Sequence, residues 1–320
     1  MVTRTNSNQH EPPAEAPKAV RIMGMPIDAG GNRPGSAQGP SALRAAGIGQ
    51  ISPITEDDGD LIPPQELRLA TLEARTHQVV QACRIAHDRV KESVRRGEIP
   101  LVMGGDHALS AGSLSGAAAA CIEQHGRAPA LIWIDAHADL NTPDTSPSGN
   151  AHGMSAASLL GYGVPELDQV VGNAQFDPGR CAFVGQRELD PGEQAIIEQG
   201  HSVYVPGARF KKQDAGSIIS EVLEKIAPDG APFCLSFDID VLDPEYAPGV
   251  DTAVPDGLSP DEIKSMMHVM RDHGGLVSMD VVEVNPPFDP DGRTSRIAVE
   301  LVAAALRPRS EKADDQPPKP

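Results

Sequence analysis

The chain has 320 residues, a formal net charge of −18, 39% hydrophobic residues and only 3% aromatics. Acidity on this scale offers no basic patch for nucleic acid and is repelled by an anionic membrane, and nowhere do about 18 apolar residues run uninterrupted to span a bilayer. With so few rings the core must be filled by Ala, Val, Ile and Leu, which suits a parallel sheet covered by helices.

Residues 1–18, rich in Pro and charge and poor in apolar side chains, are expected to form a disordered tail. They contain no apolar stretch of signal-peptide length, so cytoplasmic residence is the default expectation. Next comes an apolar strand in VRIMGMP, then a helix from Gln65 to Arg96, whose apolar positions recur at helical spacing too irregularly for a coiled coil. IPLVMGG reads as a strand, Leu109 to Gln124 as a helix and ALIWIDAH as a strand. The alternation continues with CAFVGQ, a helix from Pro191 to Gln199, the strand HSVYV and a helix from Ser217 to Ile226. It ends with PFCLSFDID, a helix from Pro260 to Asp272, GLVSMDVVEV and a closing helix from Thr294. Apolar strands alternating with helices predict an α/β fold, one parallel sheet with helices on both faces. No repeat or linker divides it, so residues 19–307 are expected to form a single domain, with residues 308–320 as a second disordered tail. Cys83, Cys121, Cys181 and Cys234 are widely separated, form no CxxC pair and read as buried reduced thiols.

Three of the apolar runs end in side chains that bind metals. MGGDH puts His107 after one strand, IWIDAHAD puts Asp135, His137 and Asp139 after another, and SFDID puts Asp238 and Asp240 after a third. Ligands in open α/β sheets bind outside the carboxyl ends of the strands, so all six can converge on one edge. Residues two apart in an extended segment face the same way, which aligns Asp135, His137 and Asp139, and likewise Asp238 with Asp240. Any one of these motifs alone is an ordinary turn or cap, because Asp favours turns; three at three strand ends are a constellation. Four crowded carboxylates repel one another unless cations sit among them. Mixed carboxylate and imidazole donors without cysteine suit Mn²⁺ or another divalent first-row ion rather than structural zinc. Carboxylates able to bridge favour a pair of ions about 3.5–4 Å apart, which acidify water into a nucleophile. No protein nucleophile is then required, and no GxSxG elbow occurs; neither GxGxxG nor GxxxxGK[ST] is present to suggest a nucleotide.

The residues GGDH, DAHADLN, SGNAHG, SFDIDVLDP and EVNP, in that order, resemble the ureohydrolases, the family of arginases and agmatinases, over nearly the whole chain between the tails. The resemblance implies a parallel-sheet domain carrying two Mn²⁺ ions per subunit and hydrolysing guanidinium groups to urea and an amine. By motif, one ion would be held by His107, Asp135, Asp139 and Asp238, the other by Asp135, His137, Asp238 and Asp240, with Asp135 and Asp238 bridging. Glu283 matches the residue that pairs with the guanidinium, for which a carboxylate has the planar fork. His152 matches a proton shuttle, Asp139 would pass a proton to the departing amine, and Thr252 lies near the guanidinium.

DLNTPDTSPSGNAHG resembles the loop of the arginase branch, in which Asn141, Ser146, Ser148 and Asn150 would receive an α-carboxylate through neutral donors. Asp190 matches the position that binds the α-amino group, with Glu188 beside it. The expected reaction is therefore hydrolysis of L-arginine to L-ornithine and urea by a metal-bridging hydroxide, in a homo-oligomer, a trimer or hexamer. Three departures stand out: Glu188 where Asp is frequent, Ser146 where Thr is frequent, and Asp251 where Gly is common. The alternatives are another ureohydrolase, acting on agmatine or a guanidino acid, and a catalytically silent scaffold homologue. The second would be expected to have lost a ligand, and all six are present.

Overall fold

The computed structural model describes residues 18–31, 33–62 and 71–308, so the tail expectations fall almost wholly outside the described residues. The chain runs β1 (Val20–Met25), α1 (Gly39–Ala45), β2 (Ile54–Asp60), α2 (Leu72–Arg95), β3 (Ile99–Gly104), α3 (Ser110–His125), β4 (Ala130–Ile134), α4 (Ser155–Leu159) and α5 (Pro165–Val171). It continues through β5 (Cys181–Val184), α6 (Pro191–Glu198), β6 (Val203–Val205), α7 (Ala215–Ile226), β7 (Phe233–Asp238), α8 (Pro260–His273), β8 (Leu276–Val282) and α9 (Arg293–Leu306). The eight strands form one sheet in the order β2-β1-β3-β8-β7-β4-β5-β6, and every pairing is parallel.

The strands are buried on both faces because their side chains alternate between two apolar layers. In β4, Ala130, Ile132 and Ile134 join the layer formed with α1, α7, α8 and α9, whereas Leu131 and Trp133 join the layer formed with α2 to α5. Both layers are built mainly from aliphatic side chains, as the composition requires. The four cysteines are buried free thiols. Among the described residues no helix is long and apolar enough to cross a membrane.

The sequence reading needs four corrections and one trimmed boundary. β2 was not expected, since ITEDDGD is acidic; it is an edge strand whose carboxylates meet arginines, Asp58 with Arg21 at 2.7 Å and Asp57 with Arg44 at 2.9 Å. An edge strand has one free side and needs no apolar run. The short helices α1, α4 and α5 were also missed, each having too few turns to show a period. The long helix begins, in the described residues, at Leu72, where Thr71 Oγ1 accepts from Ala74 N–H; positions 65–70 of the expected helix lie outside them.

Candidate metal centre and active site

β3, β8, β7 and β4 are adjacent at the middle of the sheet, and all four end in polar residues of the site. His107 follows β3, Glu283 follows β8, Asp238 closes β7 and Asp135 follows β4. The chain after β3 can turn this tightly because Gly105 has no side chain: a Cβ there would lie 1.7 Å from the Ile27 carbonyl oxygen. Asp106 fastens the turn, accepting from Gly30 N–H at 2.7 Å and Ala108 N–H at 3.0 Å. Two site residues have positive φ without being glycine, Asp139 at 52° and Glu283 at 64°, a conformation that the surrounding contacts must hold.

The six expected ligands come together. His107 Nδ1 lies 3.1 Å from Asp135 Oδ2, 3.1 Å from Asp139 Oδ2 and 2.9 Å from Asp238 Oδ2, yet it is aligned for a hydrogen bond to none of them. His137 Nδ1 lies 3.4 Å from Asp135 Oδ1 and 3.2 Å from Asp240 Oδ2. Two groups of ligand atoms result, His107 with Asp135 and Asp139, and His137 with Asp135 and Asp240, with Asp135 common to both.

The charge distribution suits this pocket to cations. Burial alone would push His107 down, but the close carboxylates of Asp135, Asp139 and Asp238 outweigh it and lift the imidazole well above its ordinary value. His137 behaves likewise under Asp240 and Asp135. Burial, then repulsion from Asp240 and Asp135, drives Asp238 well up; burial and Asp135 raise Asp139; and burial lifts Asp240 to about 6. Asp135 stays low despite burial because both imidazoles face it. The cluster thus draws protons to balance its negative charge, and a divalent cation supplies that charge with the donors already in place. A buried imidazole nitrogen that faces three carboxylate oxygens without a hydrogen bond is a metal donor's geometry.

Above this floor lies a cavity of about 210 Å³ lined by ligand residues and by Asn141, Ser146, Ser148, His152, Glu188, Asp190, Thr252 and Glu283. Glu283 Oε1 accepts from His107 N–H at 2.7 Å, while its Oε2 is buried and has no hydrogen-bond partner. His152 Nδ1 is 3.4 Å from Glu283 Oε1; although burial opposes its charged form, that carboxylate, with Asp139 and Asp106 beyond, raises it to about 9. Asn141 Nδ2 donates to Asp190 at 2.8 Å, and Glu188 Oε2, on a side chain 63% exposed, is 3.4 Å from His137 Nε2.

Of the sequence-predicted residues only Asp135 and Asn150 do not line the cavity, Asp135 because it is fully buried beneath it. Asn150 is 6% exposed, and its backbone N–H donates to Ser148 Oγ. Asp251 is buried too, and accepts from Arg33 N–H at 3.1 Å. Sequence reasoning missed Glu193, which lines the cavity and accepts from Leu140 N–H at 3.1 Å and Asp190 N–H at 2.9 Å, and which burial raises to about 7. Its signal was the D-P-G-E capping box at the start of α6. Trp133 was missed as well: its ring stacks on His107 with centroids 4.1 Å apart, and its Nε1–H donates to Asp135 at 3.0 Å.

The arginase family model matches residues 18–307. The arginase of Bacillus subtilis is 37% identical over 297 residues, covering 90% of this chain and 98% of the relative. The crystal structure of the Bacillus caldovelox arginase superposes with a TM-score of 0.83 at 34% identity, over 92% of this chain and 99% of that one. The Entamoeba histolytica arginase solved with L-ornithine gives a TM-score of 0.82 at 27% identity, over 90% and 98%. With its sheet, strand-end carboxylates and full-length match in agreement, the chain belongs to the arginase family and is a hydrolase of the ureohydrolase superfamily.

Proposed function

We propose that this protein hydrolyses L-arginine to L-ornithine and urea at a centre for two Mn²⁺ ions. The ions would be held by His107, Asp135, His137, Asp139, Asp238 and Asp240, with Asp135 common to both groups of ligand atoms. Ions in such a site would acidify water and so supply a hydrolytic nucleophile at neutral pH.

The observation that carries the reading is Glu283 Oε2, a buried carboxylate oxygen without a partner in the cavity floor, among His and Asp residues. A guanidinium offers paired N–H donors in a planar fork, and its carbon is then set over the floor. Water adds to that carbon, and the bond from it to the chain nitrogen breaks. Asp139 delivers a proton to the departing amine and His152 exchanges protons with solvent. At the rim, Asn141, Ser146 and Ser148 suit an α-carboxylate, and Asp190 with Glu188 suits an α-ammonium. That the Entamoeba histolytica arginase was solved in complex with L-ornithine supports a site here that takes an α-amino acid. Homo-oligomeric assembly and a cytoplasmic location belong to this reading.

Urea release from a panel of guanidino compounds tests it, with purified protein and added Mn²⁺. The expected preference is L-arginine over agmatine by at least about a hundredfold in kcat/KM, because agmatine leaves the carboxylate donors unmatched. Equal values would remove the arginine assignment and leave the metal centre standing.

A further inference from the structure

Behind His107, on the side away from the cavity, runs a polar chain that the hydrolysis above does not use. Asp280, on β8, is fully buried, and its two oxygens accept from two hydroxyls: Ser236 Oγ donates to Oδ1 at 2.6 Å and Ser113 Oγ donates to Oδ2 at 2.7 Å. In both bonds the serine hydroxyl is the donor and the carboxylate oxygen the acceptor. Ser236 Oγ is also 2.9 Å from His107 Nε2 and 3.4 Å from Ser110 Oγ. A buried carboxyl group is costly, and an apolar side chain in its place would avoid that cost, so its presence points to a use.

The directions of these bonds follow from counting hydrogens. A serine hydroxyl has one, and that of Ser236 is committed to Asp280. Towards His107 the Ser236 oxygen can therefore only accept, so Nε2 carries the imidazole proton. The lone pair of the neutral ring is then on Nδ1, the atom that faces Asp135, Asp139 and Asp238. The opposite tautomer would turn an N–H toward the place a cation must occupy. We propose that Asp280 is a positioning residue which, through Ser236, holds His107 in its cation-binding tautomer and increases the donor strength of Nδ1. The inference rests on the metal centre proposed above.

The test reads cation affinity, not turnover. Demetallated wild type, Asp280→Asn, Ser236→Ala and the double variant are titrated with Mn²⁺ in competition with a chelator of known affinity, and each demetallated protein is melted. Each single change is expected to weaken Mn²⁺ binding by at least about tenfold while the demetallated melting temperature holds. Because the two residues act along one path, the double variant should bind no more weakly than the worse single variant. Asp280→Asn binding within about twofold of wild type overturns the relay, as does a double variant whose losses multiply. If Asp280→Asn does not fold, Ser236→Ala carries the test, and affinity within about twofold of wild type overturns it. Wild type that takes up no Mn²⁺ would overturn the metal centre itself, an outcome distinct from wild-type binding with unaffected variants.

Discussion

The floor and the rim of the cavity are built on different principles. The floor comes from the ends of four neighbouring central strands, and apart from the half-buried His137 its residues are close to fully buried, Asp135 at 0%, His107 at 1%, Asp238 at 2% and Glu283 at 3%. The rim comes from the loops after β4 and β5, where Ser148 and Glu188 are exposed and Ser146 and Asp190 half-buried. A strand end fixes a side chain through the whole sheet, whereas a loop fixes it through a few local bonds, such as Asn141 to Asp190. The proposed function thus puts the chemistry where the scaffold is rigid, and recognition of the substrate's far end where residues can change without disturbing it.

The strongest way to break this contrast is to empty the floor. Exhaustive chelation should abolish urea release and lower the melting temperature, because ions bound only by the native state stabilise it by mass action; Mn²⁺ should restore both. Full activity in protein shown by elemental analysis to be metal-free would falsify the two-ion centre. Next in size is Glu283→Gln, which keeps the shape but removes the charge that draws the guanidinium. It is expected to lower kcat/KM for L-arginine by about a hundredfold or more at unchanged metal content. A value within about twofold of wild type would make Glu283 a structural anchor for His107 N–H and nothing more.

Changes at the rim should be smaller and selective. Asn141→Ala is expected to narrow the preference for L-arginine over agmatine by about tenfold, by slowing arginine rather than by speeding agmatine. Asn150→Ala, behind the cavity wall, should narrow it less; the reverse order in a two-substrate comparison would show that Asn150 turns into the site. The smallest effect is assigned to Glu188→Ala, under about fivefold in kcat/KM, since its side chain is 63% exposed and solvent screens its charge. A loss as large as that of Glu283→Gln would erase the distinction between floor and rim.

The floor was legible in the sequence because parallel strands deliver their ends to one edge. The strand period of two is not what aligns the ligands, since Asp135 and His137 follow β4 in a bend, Asp139 has a positive φ, and Asp240 lies in a short 3₁₀ turn after β7. What supports the floor was not. Ser236 and Asp280 sit inside SFDID and SMDVV, where nothing in the spacing separates a residue facing the centre from one that backs it. Glu193 announced itself only as a helix cap, and its place in the cavity wall depends on how α6 approaches the loop after β4. Asn150 belongs to the same loop as Asn141, and no local pattern tells which of the two reaches the cavity. β2 escaped because its acids are balanced by Arg21, Arg44 and Arg89, all distant in sequence.

The chain contains one tryptophan, and it is the Trp133 whose ring lies flat against His107 and whose N–H holds Asp135. Every indole photon the protein emits therefore comes from beside two of the proposed ligands, with no second tryptophan to dilute it. Loading the proposed centre would place a cation beside the stacked imidazole and alter the charge around the carboxylate that the indole contacts. The protein would thus carry its own optical gauge of occupancy. Titrating demetallated protein with Mn²⁺ should shift or rescale its emission in step with uptake, following the floor without dye, label or turnover.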